Sequence, residues 1–241
     1  MNVAFVLAHQ DDEVACASRI RFCIARGDRV IVVFLTDGAS RVSSGIRDAE
    51  SRAALKQLGV DDIRFIGSRE RIADGSLPEH LERALQLLDG ELEHVDEVVT
   101  LAWEGGHQDH DAAHLVAAVF AKRRGVTCLE LPLYNGHRAG PLFRVNHPLD
   151  DGWSSRKLPL KEKLATLRLL ANYRSQRTTW LGLAPLLLLA RNRELTRVVD
   201  LQRAAVRPHR GSLLYERRFH YPYDRFAANA ATFLQQQSAR D

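Results

Sequence analysis

Two short segments of the 241-residue chain hold side chains of the types that bind a catalytic metal ion. One is AHQDDE at residues 8–13, and the other is GGHQDH at residues 105–110. Catalytic zinc takes three protein ligands from His, Asp and Glu and keeps a fourth position open for water. His9, Asp12 and His110 supply two imidazoles and one carboxylate, so we predict that they are the metal ligands.

Three other side chains of these segments fit catalytic roles beside such an ion, which polarises a substrate carbonyl and lowers the pKa of bound water to about 7. We expect the Asp11 carboxylate to accept a proton from that water. His107, as an imidazolium, would stabilise the oxyanion of a tetrahedral intermediate. Asp109 would orient His107 and favour its charged form, while Gly105 and Gly106 would let the backbone approach a ligand.

Each segment alone also has a simpler interpretation. Asp11 or Asp12 can cap the N-terminus of a helix, with Glu13 facing the helix dipole. A lone His-x-Asp-His is common on solvated loops. Because both segments directly follow a short apolar run, the pattern favours a shared metal site over two coincidences.

The elements that must position these residues are visible in the hydrophobic pattern, which alternates between strands and helices. We predict strands at residues 2–8, 29–35, 63–66, 97–101 and 126–131, and helices at residues 13–26, 47–58, 78–92 and 111–123. This alternation indicates an α/β fold with a Rossmann-like, doubly wound and mostly parallel sheet. In the strand order 3-2-1-4-5, strands 1 and 4 are neighbours and their following loops open a crevice. The two polar segments are therefore expected to meet there.

The alternation ends near residue 135, which we predict as the boundary of a catalytic core at residues 1–135. Residues 136–241 are expected to form a C-terminal helical and mixed extension that packs on the core as part of the same domain. We predict a strand at residues 142–147 and a helix at residues 159–173. The ten-residue apolar run at 181–190 is too short for a membrane span, which needs about 20 residues. We assign it to the core, with a surface patch near a lipid-like substrate as the alternative.

Composition limits the classes of partner. The 34 basic and 30 acidic residues give a net charge of +4, and basic and aromatic residues are not clustered, so no nucleic-acid partner is expected.

Cys16, Cys23 and Cys128 form no CxxC pair and are predicted to be buried thiols. The N-terminus has neither a basic region nor a cleavage site, so we expect a cytoplasmic protein without a transmembrane segment. The sequence does not indicate an oligomeric state.

The two polar segments resemble the signatures of a known family. AHQDDE resembles the Ala/Pro-His-Pro-Asp-Asp-Glu motif, and HQDH the His-Pro-Asp-His motif, of the PIG-L/LmbE-like zinc-dependent N-acetylglucosaminyl deacetylases. Gln10 and Gln108 stand where that family usually has proline, which changes loop rigidity but removes no ligand. Weaker similarities are LTDG at residues 35–38, Arg47-x-x-Glu50, Asp74-Gly75-x-Leu77 and YRSQ at residues 173–176.

The resemblance implies one zinc ion per chain on His9, Asp12 and His110, although Fe²⁺, Co²⁺ or Mn²⁺ also suit such ligands. It implies that Asp11 is the general base and later the acid to the leaving amine, and that His107 and Asp109 stabilise the oxyanion. The implied reaction removes an acetyl group from an N-acetylated amino sugar, a small molecule or glycoconjugate of the N-acetylglucosamine type.

Three further residues are predicted to contact the substrate. Arg47 resembles a substrate-binding arginine, with a surface ion pair to Glu50 as the alternative. Asp74 is expected at a sugar hydroxyl. Trp103 is expected to stack on a sugar ring, and the alternative is that its side chain packs within the protein.

Two other functions stay open at this point. The first is a zinc amidase or esterase that acts on a non-sugar acyl substrate. The second is a non-catalytic nucleotide or metal binder on a Rossmann-like sheet. The sequence disfavours a nucleotide binder because no GxGxxG follows the first strand.

Overall fold

The computed structural model describes residues 1–39, 42–139, 143–190 and 192–239, without the side chains of residues 183, 184 and 205. The strands are β1 (Asn2–Leu7), β2 (Arg29–Phe34), β3 (Asp62–Phe65), β4 (Glu97–Leu101), β5 (Thr127–Leu131), β6 (Tyr134–Asn135), β7 (Arg144–Val145), β8 (Ser154–Lys157) and β9 (Arg193–Val198). The α-helices are α1 (Glu13–Ala25), α2 (Ser44–Leu58), α3 (Ile66–Glu70), α4 (Leu81–Glu91), α5 (Gln108–Arg124), α6 (Leu160–Leu169), α7 (Arg177–Leu189), α8 (Leu214–Arg218) and α9 (Tyr223–Ser238).

Within the described residues, seven strands form the main sheet in the order β3-β2-β1-β4-β5-β9-β8, which confirms the predicted doubly wound α/β fold and its 3-2-1-4-5 order. The first five strands are parallel, and β9 and β8 are antiparallel additions at one edge. β1 pairs with both β2 and β4, so the crevice of the sheet opens beyond the carboxyl ends of β1 and β4.

Alternate side chains of β1 enter two separate cores, because neighbouring residues of a strand point to opposite faces. In β1, Val3, Phe5 and Leu7 pack with α1 and α2 on one face of the sheet. Ala4 and Val6 pack with α4 and α5 on the other. The helices that follow β1 and β4 thus cover opposite faces, as a switch point requires.

The region beyond residue 135 contributes to both layers. Leu169 of α6 joins the core around α1 and α2, and Phe226 of α9 joins the core around α5. β9 and β8 extend the same sheet. The predicted strand at 142–147 is reduced to the short β7, and its first position lies outside the described residues.

Two sequence-based expectations need correction. α5 begins at Gln108, three residues before the predicted start, so His110 lies in the first turn of the helix. The apolar run at 181–190 was assigned to the core, but it forms most of α7, in which Leu181 and Leu189 are 77% and 84% exposed. Its alternative, a patch at the surface, agrees with this exposure. Cys16, Cys23 and Cys128 are buried, as predicted.

Candidate metal centre at the end of β1

The two polar segments meet at the switch point of the sheet. Residues 9–12 form a tight turn after β1, in which the Asp12 N–H donates to the His9 carbonyl at 3.2 Å. The His9 N–H in turn donates to Asp12 Oδ2 at 2.8 Å, which fixes the Asp12 carboxylate. His107 is the N-cap of α5, so His110 projects from the first turn of that helix.

The three predicted ligands come together around one point. His110 Nε2 lies 3.0 Å from Asp12 Oδ1 and 3.2 Å from His9 Nδ1, and His9 Nδ1 lies 3.8 Å from Asp12 Oδ2. Donors bound tetrahedrally to zinc at about 2.0–2.1 Å are separated by about 3.3 Å. All three side chains are buried, and the burial of a charged side chain is unfavourable unless an opposite charge compensates it. Their number, type and spacing fit a divalent metal ion.

The ionisation of Asp12 suits a cation. Burial by itself would raise the pKa of Asp12, but the neighbouring His110 and His9 hold it at about 2, so the carboxylate is ionised. Burial lowers the pKa of His9, but Asp74 and Asp109 outweigh it and raise that pKa well above its usual value, so a metal ion that binds His9 displaces a proton from the ring.

Two carboxylates contact His9 Nε2, the ring nitrogen that faces away from the other two proposed ligands. His9 Nε2 lies 3.0 Å from Asp109 Oδ2 and 3.2 Å from Asp74 Oδ1. Asp109 also accepts the N–H groups of Gly75 and Leu77 at 2.6 and 3.1 Å. A carboxylate on the far nitrogen of a ligand histidine fixes its tautomer and ring orientation.

This arrangement changes two expectations. The Asp109 carboxylate was expected to orient His107, but it bonds His9 instead, and only the Asp109 backbone N–H reaches His107, donating to Nδ1 at 3.1 Å. Asp74 was expected at a sugar hydroxyl and lies against His9. An aspartate in the first turn of α5 reaches across to the loop after β1 because the two loops share the switch point.

The contacts of His107 favour a neutral imidazole over the expected imidazolium. Its Nδ1 accepts a hydrogen bond, and burial together with His9 lowers its pKa to about 3. Its ring lies edge-on to His9 at 4.6 Å between centroids. A second group that fits the spacing of metal ligands is His9, His107 and Asp109, but there the Asp109 oxygens already accept backbone N–H groups.

Asp11 lies beside the proposed ligands in an unusual backbone conformation. Its φ is 113°, a region that non-glycine residues rarely adopt. The Asp11 N–H donates to Glu13 Oε2 at 2.8 Å, and the Asp11 carboxylate faces Arg47 at 3.3 Å. Burial raises the pKa of Asp11 to about 6, although Arg47 opposes this shift. The Asp11 carboxylate interacts electrostatically with Asp12 and His9, which places it beside the ligand cluster.

Arg47 is buried in this corner, which disagrees with its alternative of a surface ion pair to Glu50. Its guanidinium bonds the Gln10 carbonyl and Asp11. Glu50 accepts instead from the N–H and hydroxyl of Ser175, at 2.9 and 2.6 Å. Arg47 is thus in direct contact with the predicted base, and its Nε and Nη1 atoms have no protein partner among the described residues.

Two residues that support Asp11 were missed as part of the site. Glu13 is fully buried, and its second oxygen accepts the hydroxyl of Tyr173. Tyr173 also contacts the Ser51 hydroxyl at 3.3 Å. The signal was present, since Glu13 ends the first motif and Tyr173 begins the YRSQ segment. Burial raises the pKa of Glu13 to about 7, despite the hydrogen bond from Tyr173.

Trp103 and the paired glycines do not have the expected roles. Trp103 packs in the core against Phe226, with its indole N–H donating to the Val206 carbonyl at 2.9 Å. The space beside the two glycines is occupied by other parts of the protein rather than left open for a ligand. A Cβ on Gly106 would lie 2.3 Å from the Tyr134 carbonyl oxygen, and Gly105 has φ of +70°.

Aromatic residues that the sequence did not single out flank the histidines. Phe219 lies edge-on to His107 at 4.4 Å and is 46% exposed. Tyr134 lies edge-on to His110 at 5.5 Å. The buried Glu104 holds Tyr134 in place by accepting its N–H at 2.7 Å.

Comparison with known proteins finds a similarity that includes this site. Residues 4–121, just under half of the chain, match the profile of the PIG-L family, described as GlcNAc-PI de-N-acetylase. The matched region contains both polar segments, including all three proposed ligands, while Phe219 and Tyr173 lie outside it.

One curated relative is 1D-myo-inositol 2-acetamido-2-deoxy-alpha-D-glucopyranoside deacetylase from Mycolicibacterium vanbaalenii, which is 33% identical over 158 residues. The match covers 50% of this chain and 55% of that protein, so it spans about half the length of the relative.

Two solved structures share the fold of this chain. The zinc-inhibited form of teicoplanin deacetylase matches with a TM-score of 0.61 at 15% identity, over 83% of this chain and 99% of that one. N,N'-diacetylchitobiose deacetylase from Pyrococcus horikoshii, with its inhibitor, matches with a TM-score of 0.59 at 19% identity, over 87% of each chain. At these identities the similarity concerns the fold alone.

Proposed function

We propose that this protein is a zinc-dependent hydrolase that removes the acetyl group from an N-acetylated amino sugar of the N-acetylglucosamine type. The observation that carries the proposal is the convergence of His9 Nδ1, Asp12 Oδ1 and His110 Nε2 beside the carboxylate of Asp11. The curated relative, which is named for deacetylation of an acetamido sugar, supports the bond and the substrate class.

The ligand set is His9, Asp12 and His110, and a divalent ion held there would polarise the amide carbonyl and acidify water. Iron, cobalt or manganese also suit two imidazoles and one carboxylate, and the family favours zinc. Asp109 and Asp74 keep His9 in the tautomer that points Nδ1 at the other two ligands.

Asp11 is the proposed general base. Its carboxylate accepts the proton of the attacking water and then delivers it to the leaving amine nitrogen, so one group serves both half-reactions. Arg47 and the Glu13 carboxylate fix its direction. The amide C–N bond breaks as the nitrogen receives that proton, which gives acetate and a free amino sugar.

His107 is the proposed oxyanion donor, acting as a neutral imidazole. Because Nδ1 accepts a backbone N–H, the ring proton sits on Nε2, which leaves that atom as a hydrogen-bond donor. A preorganised donor of this kind stabilises developing negative charge on the carbonyl oxygen. We assign Phe219, half exposed beside His107, as the aromatic surface for the sugar ring.

The test is acetate release from a panel of N-acetylhexosaminides, measured with and without a metal chelator, with N-acetylated amino acids and p-nitrophenyl acetate as comparison substrates. We expect release from at least one N-acetylated sugar, its loss with chelator and its return on adding zinc. Turnover of only the amino-acid amides or the ester would support the alternative of an amidase or esterase. No turnover of any substrate by metal-loaded protein would contradict the proposal.

A further inference from the structure

Helix α7 exposes an apolar stripe to solvent. Leu181, Leu188 and Leu189 are 77%, 53% and 84% exposed, and Pro185 between them is also exposed. These four residues follow the spacing i, i+4, i+7 and i+8, so they share one side of the helix.

The neighbouring helix α6 enlarges this surface. Leu160 and Leu164 of α6 are 65% and 44% exposed. The Lys163 ammonium between them donates to the carbonyls of Leu188 and Ala190, at 2.6 and 2.8 Å, and so holds the two helices together. We call Leu160, Leu164, Leu181, Leu188 and Leu189 the leucine face.

The other side of α7 faces the protein. Leu187 and Ala190 line an apolar groove with Leu167 of α6 and Leu195 of β9. The leucine face therefore lies on the outer side of the helix, and an exposed apolar surface of this kind commonly marks an interaction site.

The segment that carries the leucine face is strongly basic. Residues 157–193 contain eight basic residues and one acidic residue, Glu162, which leaves 26 basic and 29 acidic residues in the rest of the chain. The side chains of Lys157, Lys161, Arg168 and Arg174 are exposed. A chain of net charge +4 thus carries its positive excess in this segment, against an acidic remainder.

We propose that the leucine face docks on the surface of an anionic lipid bilayer, with α7 lying in the plane of the interface. An apolar face flanked by Lys and Arg is the pattern of interfacial helices, which combine acyl contact with attraction to acidic headgroups. The 13 residues of α7 reach about 20 Å, short of the bilayer core. Among the residues that the structure describes, no helix has the length and apolarity to cross a membrane.

A second copy of the chain fits this surface less well. A symmetric dimer through the leucine face would bring two sets of like charges together, and like charges facing each other oppose association. An anionic bilayer neutralises them instead. Charge complementarity therefore favours the membrane as the occupant.

The test is co-sedimentation of the full-length protein with vesicles of phosphatidylcholine alone or with 30% phosphatidylglycerol, read without substrate and so independent of the proposed enzymatic activity. We expect at least tenfold stronger partitioning to the anionic vesicles, which weakens at high salt. The double variant Leu181→Glu, Leu189→Glu is expected to lose at least tenfold of this binding. Arg174→Glu with Arg177→Glu is expected to lower it as well.

The matched control is Val206→Glu, which places the same acid on an apolar residue that is 60% exposed but lies outside the segment. It should bind as the unchanged protein does, and thermal unfolding should show that all variants are folded. Equal binding to both vesicle types, or no binding to either, would overturn the proposal. So would a dimer in light scattering that the Leu181→Glu, Leu189→Glu variant converts to a monomer, because the second copy would then be the occupant.

Discussion

His9 and Asp109, which are 100 residues apart in sequence, are joined by a hydrogen bond of 3.0 Å between Nε2 and Oδ2. The bond leaves His9 Nδ1 facing Asp12 and His110. Two loops from opposite sides of the switch point are thereby connected once through a carboxylate and once through the proposed ligand cluster. The proposed metal site depends on this link for the orientation of its first ligand.

Replacing Asp109 tests that dependence. Asp109→Asn removes the negative charge on His9 Nε2 and is expected to weaken zinc binding by about 10–100-fold. The measurement is competition with a chromogenic chelator. Asp61→Asn, at an exposed position, is the control and should leave the affinity unchanged. Unchanged affinity in Asp109→Asn would contradict the role given to this residue.

Asp11 allows metal binding and catalysis to be separated. Asp11→Asn should keep stoichiometric zinc, because Asp11 is not among the three proposed ligands, and should lower kcat by about 10²–10⁴-fold through loss of the base. Metal analysis and acetate release on the same sample check both statements. Full activity in a folded variant would remove Asp11 from the mechanism.

Tyr173 supports the first motif through Glu13. Tyr173→Phe removes the hydroxyl that donates to the buried Glu13 carboxylate, and we expect the free energy of unfolding to fall by about 1–3 kcal/mol. Urea unfolding measures this change. Tyr223→Phe, at a half-buried position in α9, serves as the control and should cost less. Equal stability of the two variants would show that the Tyr173 hydroxyl contributes little.

Phe219 tests the sugar contact. Phe219→Ala should raise KM about fivefold or more while the zinc content stays unchanged, because stacking contributes about 1 kcal/mol. Phe219→Trp should restore KM by offering a larger aromatic surface. A KM that is the same in all three proteins would place the sugar elsewhere.

The strand pattern and the two polar segments were sufficient to predict where the proposed ligands meet. Short apolar runs predicted β1 and β4, and the strand order of doubly wound sheets predicted that the carboxyl ends of these strands are neighbours. The assignment of His9, Asp12 and His110 needed only residue type and that placement.

The remaining contacts depend on tertiary packing that spacing does not encode. Asp109 is two residues from His107 in sequence, yet its carboxylate points across the crevice to His9. Trp103 follows a strand end like a ligand-binding residue but faces the core. Phe219 is one of several aromatics in the segment at residues 215–226, about 110 residues from His107, and only the path of the C-terminal region brings the two rings together.

The most direct test of the account is anomalous diffraction at the zinc edge from crystals of the metal-loaded protein. We predict a single strong peak per chain, bonded to His9 Nδ1, Asp12 and His110 Nε2. A peak held instead by His9, His107 and Asp109, the other group of suitable spacing, or no peak near the switch point, would contradict the proposed centre.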